Sequence, residues 1–246
     1  MAMFRSGNPA LREDTFRSVP RAAGEAAMTL PGTVNRTGIS LLILIAAAAF
    51  VWNQEGAAAA VFILLGLVGG LVAALVTVFK RTWAPYSTPV YAAFEGLLLG
   101  GISATYEARF PGIVINAVAL TFGTLAALLL AYRSGLIRAT ENFKLGVFAA
   151  TGGIAVVYLV SMVLGFFGRS IPYIHDSGLV GIGFSLFVVA IAALNLVLDF
   201  DFIERGAAIG APKYMEWVGA FALLVTLVWL YLEILRLLAK MQGRKR

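Results

Sequence analysis

Seven apolar runs divide this chain, at residues 37–52, 56–79, 88–106, 111–132, 145–167, 178–200 and 217–239. The hydrocarbon core of a bilayer is about 30 Å thick and an α-helix rises about 1.5 Å per residue, so about 20 apolar residues make one crossing. The runs are close to that length. The first is short at these ends and extends back into "NRTG". Hydrocarbon offers no partner for an open backbone N–H or C=O, so each run must close its hydrogen bonds internally as a helix, and all are far too long for barrel strands. The pattern predicts an all-α membrane protein with seven transmembrane helices. A tail at 1–36 precedes a membrane domain at 37–240, and a basic tail at 241–246 follows it.

Composition narrows the function classes. The chain is 60% hydrophobic and 13% charged, against about 45–50% and about 25% in an ordinary soluble domain. It has no cysteine and one histidine, His175. Disulfides, thiolate chemistry and multi-histidine metal sites are therefore excluded. The formal charge of +6 sits in tails and short loops, which points to topology and anionic headgroups rather than nucleic acid. The first 36 residues are polar and lack an early apolar segment, so they do not read as a signal peptide. Within them, "NPALREDTF" suggests a short helix with Asn8 as N-cap and Pro9 at the first helical position.

Lys and Arg placement orients the spans. The tail holds five arginines, and the alternate loops add Lys80, Arg81, Arg133, Arg138, Lys144, Arg205 and Lys213. The opposite loops hold Arg109 and Arg169. The N-terminus is thus expected in the cytoplasm. The C-terminal tail conflicts with this, because seven crossings put Arg236, Lys240, Arg244, Lys245 and Arg246 outside. Either the tail breaks the rule or the last run is re-entrant.

Small residues recur inside the spans, including Gly96 and Gly100 in a G-x-x-x-G. They let helices approach closely in lipid, which reads as packing within one bundle before it reads as a dimer seam. The prolines of "WAPYSTP" predict a tight cytoplasmic turn after the second span.

A charge in the hydrocarbon region costs at least about 2.5 kcal/mol, so each one needs a reason. Glu95, in "YAAFEGLLLGG", lies about 10 Å below the cytoplasmic end of the third run. It either glues helices together or lines a path. Asp199 and Asp201 close the sixth run. Asn195 lies one turn before Asp199 on the same face, whereas Asp201 points elsewhere and reads as a solvated end residue. An acid at a helix C-terminus is electrostatically unfavoured, so something must hold Asp199 there.

Glu233 lies deep in the seventh run, with Arg236 three residues on and placed to neutralise it. The other reading turns Glu233 inward to meet Asp199. Two carboxylates meeting at low dielectric cannot both ionise cheaply and share a proton. Such a pair senses pH, and when deprotonated it offers hard oxygen ligands suited to Ca²⁺. A cation leak gated by protonation follows. Proton-coupled transporters also use buried acids, but no inverted repeat is visible here.

Enzyme classes find no purchase. There is no G-x-S-x-G elbow, His175 falls in an external loop, "GIGF" lacks the aspartate of an intramembrane aspartyl protease, and Lys240 is too terminal for a Schiff base. The chain reads as not an enzyme.

Several segments together resemble one family. They are "RSGNPAL", "MTLPGTVNRTG", "VFKRTWAPYSTPVYAAFEGLLLGGIS", "YEARFPGIVINAVALTFGT", "LVLDFDFIERG" and "LVWLYLEILRLL". They are similar to the Bax inhibitor family (the transmembrane BAX inhibitor motif superfamily) in its bacterial YccA-like branch, over nearly the whole chain. The resemblance implies seven helices with the last surrounded by the other six. It also implies a pH-sensitive Ca²⁺ leak in the bacterial inner membrane, with protons and Ca²⁺ as ligands and no cofactor.

By that resemblance Asp199 and Glu233 are the sensor, the gate and the transient Ca²⁺ ligands. Glu233 in "LYLE" stands where the family has "LYLD". A basic residue of the second helix would engage the first acid, and Lys80 or Arg81 is nearest, with Arg236 a further basic partner. Glu95, Asn195 and Asp201 are candidates for pore-lining or accessory roles. Bacterial members also look like modulators of membrane proteases, so a membrane-embedded regulator without transport is the second reading. One difficulty concerns depth. A last helix starting at Trp217 puts Glu233 about 24 Å along it. A pair with Asp199 then needs a later start near Leu223, with "GAPKYMEWVGAF" as an extra turn or interfacial helix.

Overall fold

The computed structural model describes residues 26–54, 56–168 and 178–244. The expected helix at "NPALREDTF" and the loop carrying His175 lie outside them. The described residues form seven helices: α1 (Leu30–Trp52), α2 (Gly56–Phe79), α3 (Ala84–Arg109), α4 (Ile113–Arg133), α5 (Glu141–Phe166), α6 (Leu179–Ala208) and α7 (Met215–Gly243). A short 3₁₀ helix, Arg81–Trp83, joins α2 to α3. One isolated β-bridge pairs Ala27 with Pro212.

Six of these helices are long and apolar enough to cross a membrane. The exception is α3. It is long enough, but its first half carries Tyr86, Ser87, Thr88, Pro89, Tyr91 and Glu95. With six such helices the chain is a multi-pass membrane protein, and α3 is less apolar than its run suggested.

Several element boundaries differ from the sequence expectation. Helix α1 starts at Leu30 rather than Thr37, because the Thr29 hydroxyl accepts the Gly32 N–H at 3.1 Å and Pro31 sits in the first turn. The turn after α2 falls at 80–83, not at the prolines. Pro85 lies in the first turn of α3, where its missing N–H costs nothing, and Pro89 is carried inside the helix. Helix α6 runs eight residues past Phe200, to Ala208. Helix α7 starts at Met215, so neither a start near Leu223 nor a separate interfacial helix is present.

The chain forms two compact units. One contains 26–109 and 199–225, and the other contains 110–198 and 226–244. Helices α6 and α7 each contribute a segment to both.

In the first unit, α1 and α2 pack on α3 through glycines. A side chain at Gly96 would strike the Leu44 carbonyl, and one at Gly100 would lie 2.8 Å from the Ala48 Cα. A Cβ at Gly66 would lie 2.6 Å from the Leu98 nitrogen and the Phe94 oxygen. The G-x-x-x-G of α3 is thus the seat of α1 within one chain, the packing role expected for it.

In the second unit, Thr140 caps α5 by accepting the Phe143 N–H at 3.3 Å, with Glu141 in the first turn complementing the helix dipole. Ala139, Val147, Val197 and Leu198 form one buried cluster, and Ile154, Val188 and Ile191 form another, against which Trp229 packs. Of the helices apolar enough to cross, α7 has 78% of its apolar window buried and α5 has 11%.

Candidate functional site

Asp199 and Asp201 lie inside α6, not at its end. Nine residues, about 13 Å of helix, separate Asp199 from Ala208. Asp199 is therefore not an acid at a helix C-terminus. What marks Asp199 is burial: it is 1% exposed. Asp201 takes the Arg205 guanidinium at 3.0 Å, an i,i+4 pair with the arginine facing out. It is an ion-paired residue rather than a freely solvated one.

Asn195, on the face of Asp199, is also buried. Its amide donates to the Thr151 hydroxyl of α5 at 2.9 Å and to the Ile191 carbonyl at 2.9 Å. Its described role is to tie α6 to α5.

Glu233 sits on α7 and is 2% exposed. The Tyr158 hydroxyl of α5 donates to its Oε1 at 2.8 Å. Arg236 Nη1 donates to Oε1 at 2.9 Å, to Oε2 at 3.2 Å and to the Tyr158 oxygen at 2.8 Å. The guanidinium also lies 5.3 Å from the Tyr158 ring centre. Arginine three residues on was legible as a partner, because i and i+3 share a helix face. Tyrosine was not, because nothing local brings residue 158 to residue 233.

Glu95 lies eleven residues into α3, about 16 Å from its start. That is near the middle of the helix, deeper than the run boundaries implied. It is half-buried and hydrogen-bonded to Tyr91 one turn earlier. On α2, Gly70 leaves room for it: a Cβ there would lie 3.1 Å from Glu95 Oε2.

The two candidate basic partners differ. Lys80 is exposed, with its ammonium 4.6 Å from the Trp83 ring. Arg81 is half-buried in the 3₁₀ turn.

Three further buried charges were missed, Lys144, Glu216 and Lys240, of which Lys144 pairs with Glu141 at 3.4 Å. Glu216, in the first turn of α7, is 1% exposed and accepts from the Thr29 N–H at 3.0 Å, the Thr29 hydroxyl at 2.8 Å and Lys213 at 2.7 Å. Arg36 lies 3.9 Å from its other oxygen. Lys240, in the last turn of α7, donates to the Gly181 carbonyl at 3.0 Å and the Ser185 hydroxyl at 2.9 Å. The only sequence signal for any of the three was a charge beside an apolar run. Among the described residues, no three His, Asp or Glu side chains gather to hold a metal ion.

A family model described as "Bax inhibitor 1 like" matches residues 8–243. No curated protein and no solved structure matches the chain.

Proposed function

Because the chain belongs to the Bax inhibitor 1 like family, we propose that it is a pH-responsive Ca²⁺ leak of the bacterial inner membrane, with its N-terminus in the cytoplasm. Asp199 and Glu233 are the carboxylates that take up the proton. The observation carrying this reading is their burial, at 1% and 2% exposed, on two helices apolar enough to cross a membrane. A buried carboxylate at membrane depth is expensive and is retained where ions or protons move. Its oxygens are hard ligands, suited to Ca²⁺ in transit. Protonation removes that charge and with it the affinity for a divalent cation. The loop charges support the orientation, with twelve basic residues on the N-terminal side of the alternation and two on the other. Helix α3 supplies the seventh crossing in this reading: its Ser87 hydroxyl accepts from Thr77 of α2 at 2.7 Å, its Thr88 hydroxyl donates to the Trp217 carbonyl of α7 at 3.2 Å, and its Tyr91 ring packs on Phe221 of α7.

The test is Ca²⁺ efflux from proteoliposomes across a pH series, for the wild type and Asp199→Asn. A pH-dependent efflux flattened by the substitution is the expected result. Efflux with an unaltered pH profile in Asp199→Asn removes Asp199 as sensor.

One observation favours a second reading, a membrane-embedded regulator of another membrane protein, such as a protease, without transport. Glu233 already has its charge compensated by Arg236, which suits a fixed structural role. Absence of efflux at every pH selects that reading.

A further inference from the structure

Glu233, Arg236 and Tyr158 close a ring of hydrogen bonds between α5 and α7. One guanidinium nitrogen spans both carboxylate oxygens, at 2.9 and 3.2 Å. The same nitrogen reaches the tyrosine oxygen at 2.8 Å, and the tyrosine proton returns to the carboxylate at 2.8 Å. Burial across this ring is unequal. The Glu233 side chain is 2% exposed, and the Arg236 side chain is 37% exposed. The cation has a route out along its own stem, as long basic side chains do near a membrane interface. The anion has none.

Any other cation approaching Glu233 from the exposed side must bind the two oxygens that Nη1 now holds. The next base along α7, Lys240, is committed elsewhere, to Gly181 and Ser185 on α6, and is itself buried.

We propose that Arg236 is a tethered plug. Its guanidinium occupies the cation position at Glu233, Tyr158 holds it in place, and a divalent cation takes that position when Arg236 swings toward the headgroups. This rests on the leak reading above and assigns how its Glu233 site is closed. With Arg236 displaced, the two carboxylate oxygens and the phenol oxygen face the opening. Waters complete the shell of six to eight oxygens that Ca²⁺ prefers. Tyr158 is a positioning residue in the closed state, because its hydroxyl orders the arginine and the glutamate at once.

The experiment has two readouts, Ca²⁺ efflux from proteoliposomes and Tb³⁺ luminescence of the detergent-solubilised protein. Tb³⁺ takes Ca²⁺-type oxygen sites and is sensitised by nearby aromatic rings, here Tyr158 and Trp229. The variants are Arg236→Gln, Tyr158→Phe and the double variant Arg236→Gln/Glu233→Gln. Removing the plug is expected to raise Tb³⁺ affinity and efflux at neutral pH by about tenfold, equivalent to about 1.4 kcal/mol. Tyr158→Phe, which keeps the ring and the fold, is expected to fall between wild type and Arg236→Gln. The double variant is expected to lose the added Tb³⁺ binding.

Efflux in the wild type, with neither efflux nor Tb³⁺ affinity raised in Arg236→Gln and Tyr158→Phe, overturns the plug and leaves the leak intact. No efflux in any variant overturns the leak. Tb³⁺ then decides the plug alone: tighter binding in Arg236→Gln that depends on Glu233 supports it, and equal binding rejects it.

Discussion

The hydroxyl of Thr29 and the carboxylate of Glu216, 187 residues apart in sequence, meet at 2.8 Å. Thr29 does two jobs: it caps α1 and it holds the first turn of α7. Beside this contact the Met28 N–H donates to the Ala211 carbonyl at 2.7 Å, so the entry to α1 is fastened to the α6–α7 connection. The Glu216 carboxylate fills the space over Gly32, where any side chain would collide with it.

Glu216→Gln is therefore expected to destabilise the protein. It weakens hydrogen bonds made to a buried charge, worth about 1.5–3 kcal/mol. Gly32→Ala is expected to cost about 1–3 kcal/mol by overpacking. Lys213→Ala, whose partner is buried but whose own side chain is 46% exposed, should cost less than either. Thermal unfolding in detergent, followed by circular dichroism, orders the three. A Gly32→Ala variant as stable as wild type would contradict the placement of the carboxylate.

Helix α3 meets α1 at Gly96 and Gly100, where a side chain would strike backbone. Gly100→Leu should cost about 1–3 kcal/mol or block folding. Gly146→Ala on α5, with open space around it, should be neutral. Because the motif is used within the chain, Gly100→Leu is expected to lower the yield of folded protein without altering the oligomeric state of what folds. Size-exclusion chromatography with light scattering reads both.

The Asn195–Thr151 hydrogen bond joins α6 to α5 inside the second unit. Interhelical hydrogen bonds in membranes are worth about 0.6 kcal/mol on average. Thr151→Val should cost about that much and leave the pH profile of efflux where it is. A moved profile would make the bond part of the gate.

Asp201 and Arg205 form a partly exposed i,i+4 pair, worth about 0.3–0.5 kcal/mol. Asp201→Asn should change neither stability nor efflux measurably, while Asp199→Asn, two residues away and buried, changes efflux. Equal effects from the two substitutions would contradict the separation of their roles.

Glu95→Gln keeps the size of the side chain and an acceptor for Tyr91. The fold should survive it, and Ca²⁺ efflux at neutral pH should fall because a half-buried carboxylate at mid-helix is lost. Unchanged efflux would restrict Glu95 to joining α2 and α3.

How much of this was legible depends on the range of the force involved. The seven helices could be read because a bilayer demands long apolar runs and internal backbone pairing, and both are local properties of a chain. The pairing of Arg236 with Glu233 was local too, at i+3. The boundaries slipped where a capping threonine, a proline in a first turn or a run of mixed polarity carried a helix past its apolar stretch, as at Leu30, Ala84, Ala208 and Met215.

Sequence by itself determined the membrane class, the helical content, the family and two of the buried acids, Asp199 and Glu233. Tertiary structure alone revealed Glu216 as a third and decided which groups meet the charges: Tyr158 at Glu233, Thr29 and Arg36 at Glu216, Ser185 at Lys240, and Gly70 at Glu95. The physical reason is that a buried charge must be satisfied by whatever the packing brings alongside. Helices separated by tens of residues are brought alongside by shape: the G-x-x-x-G of Gly96 and Gly100 marks a seat for a helix, but only the packing shows that α1 takes it.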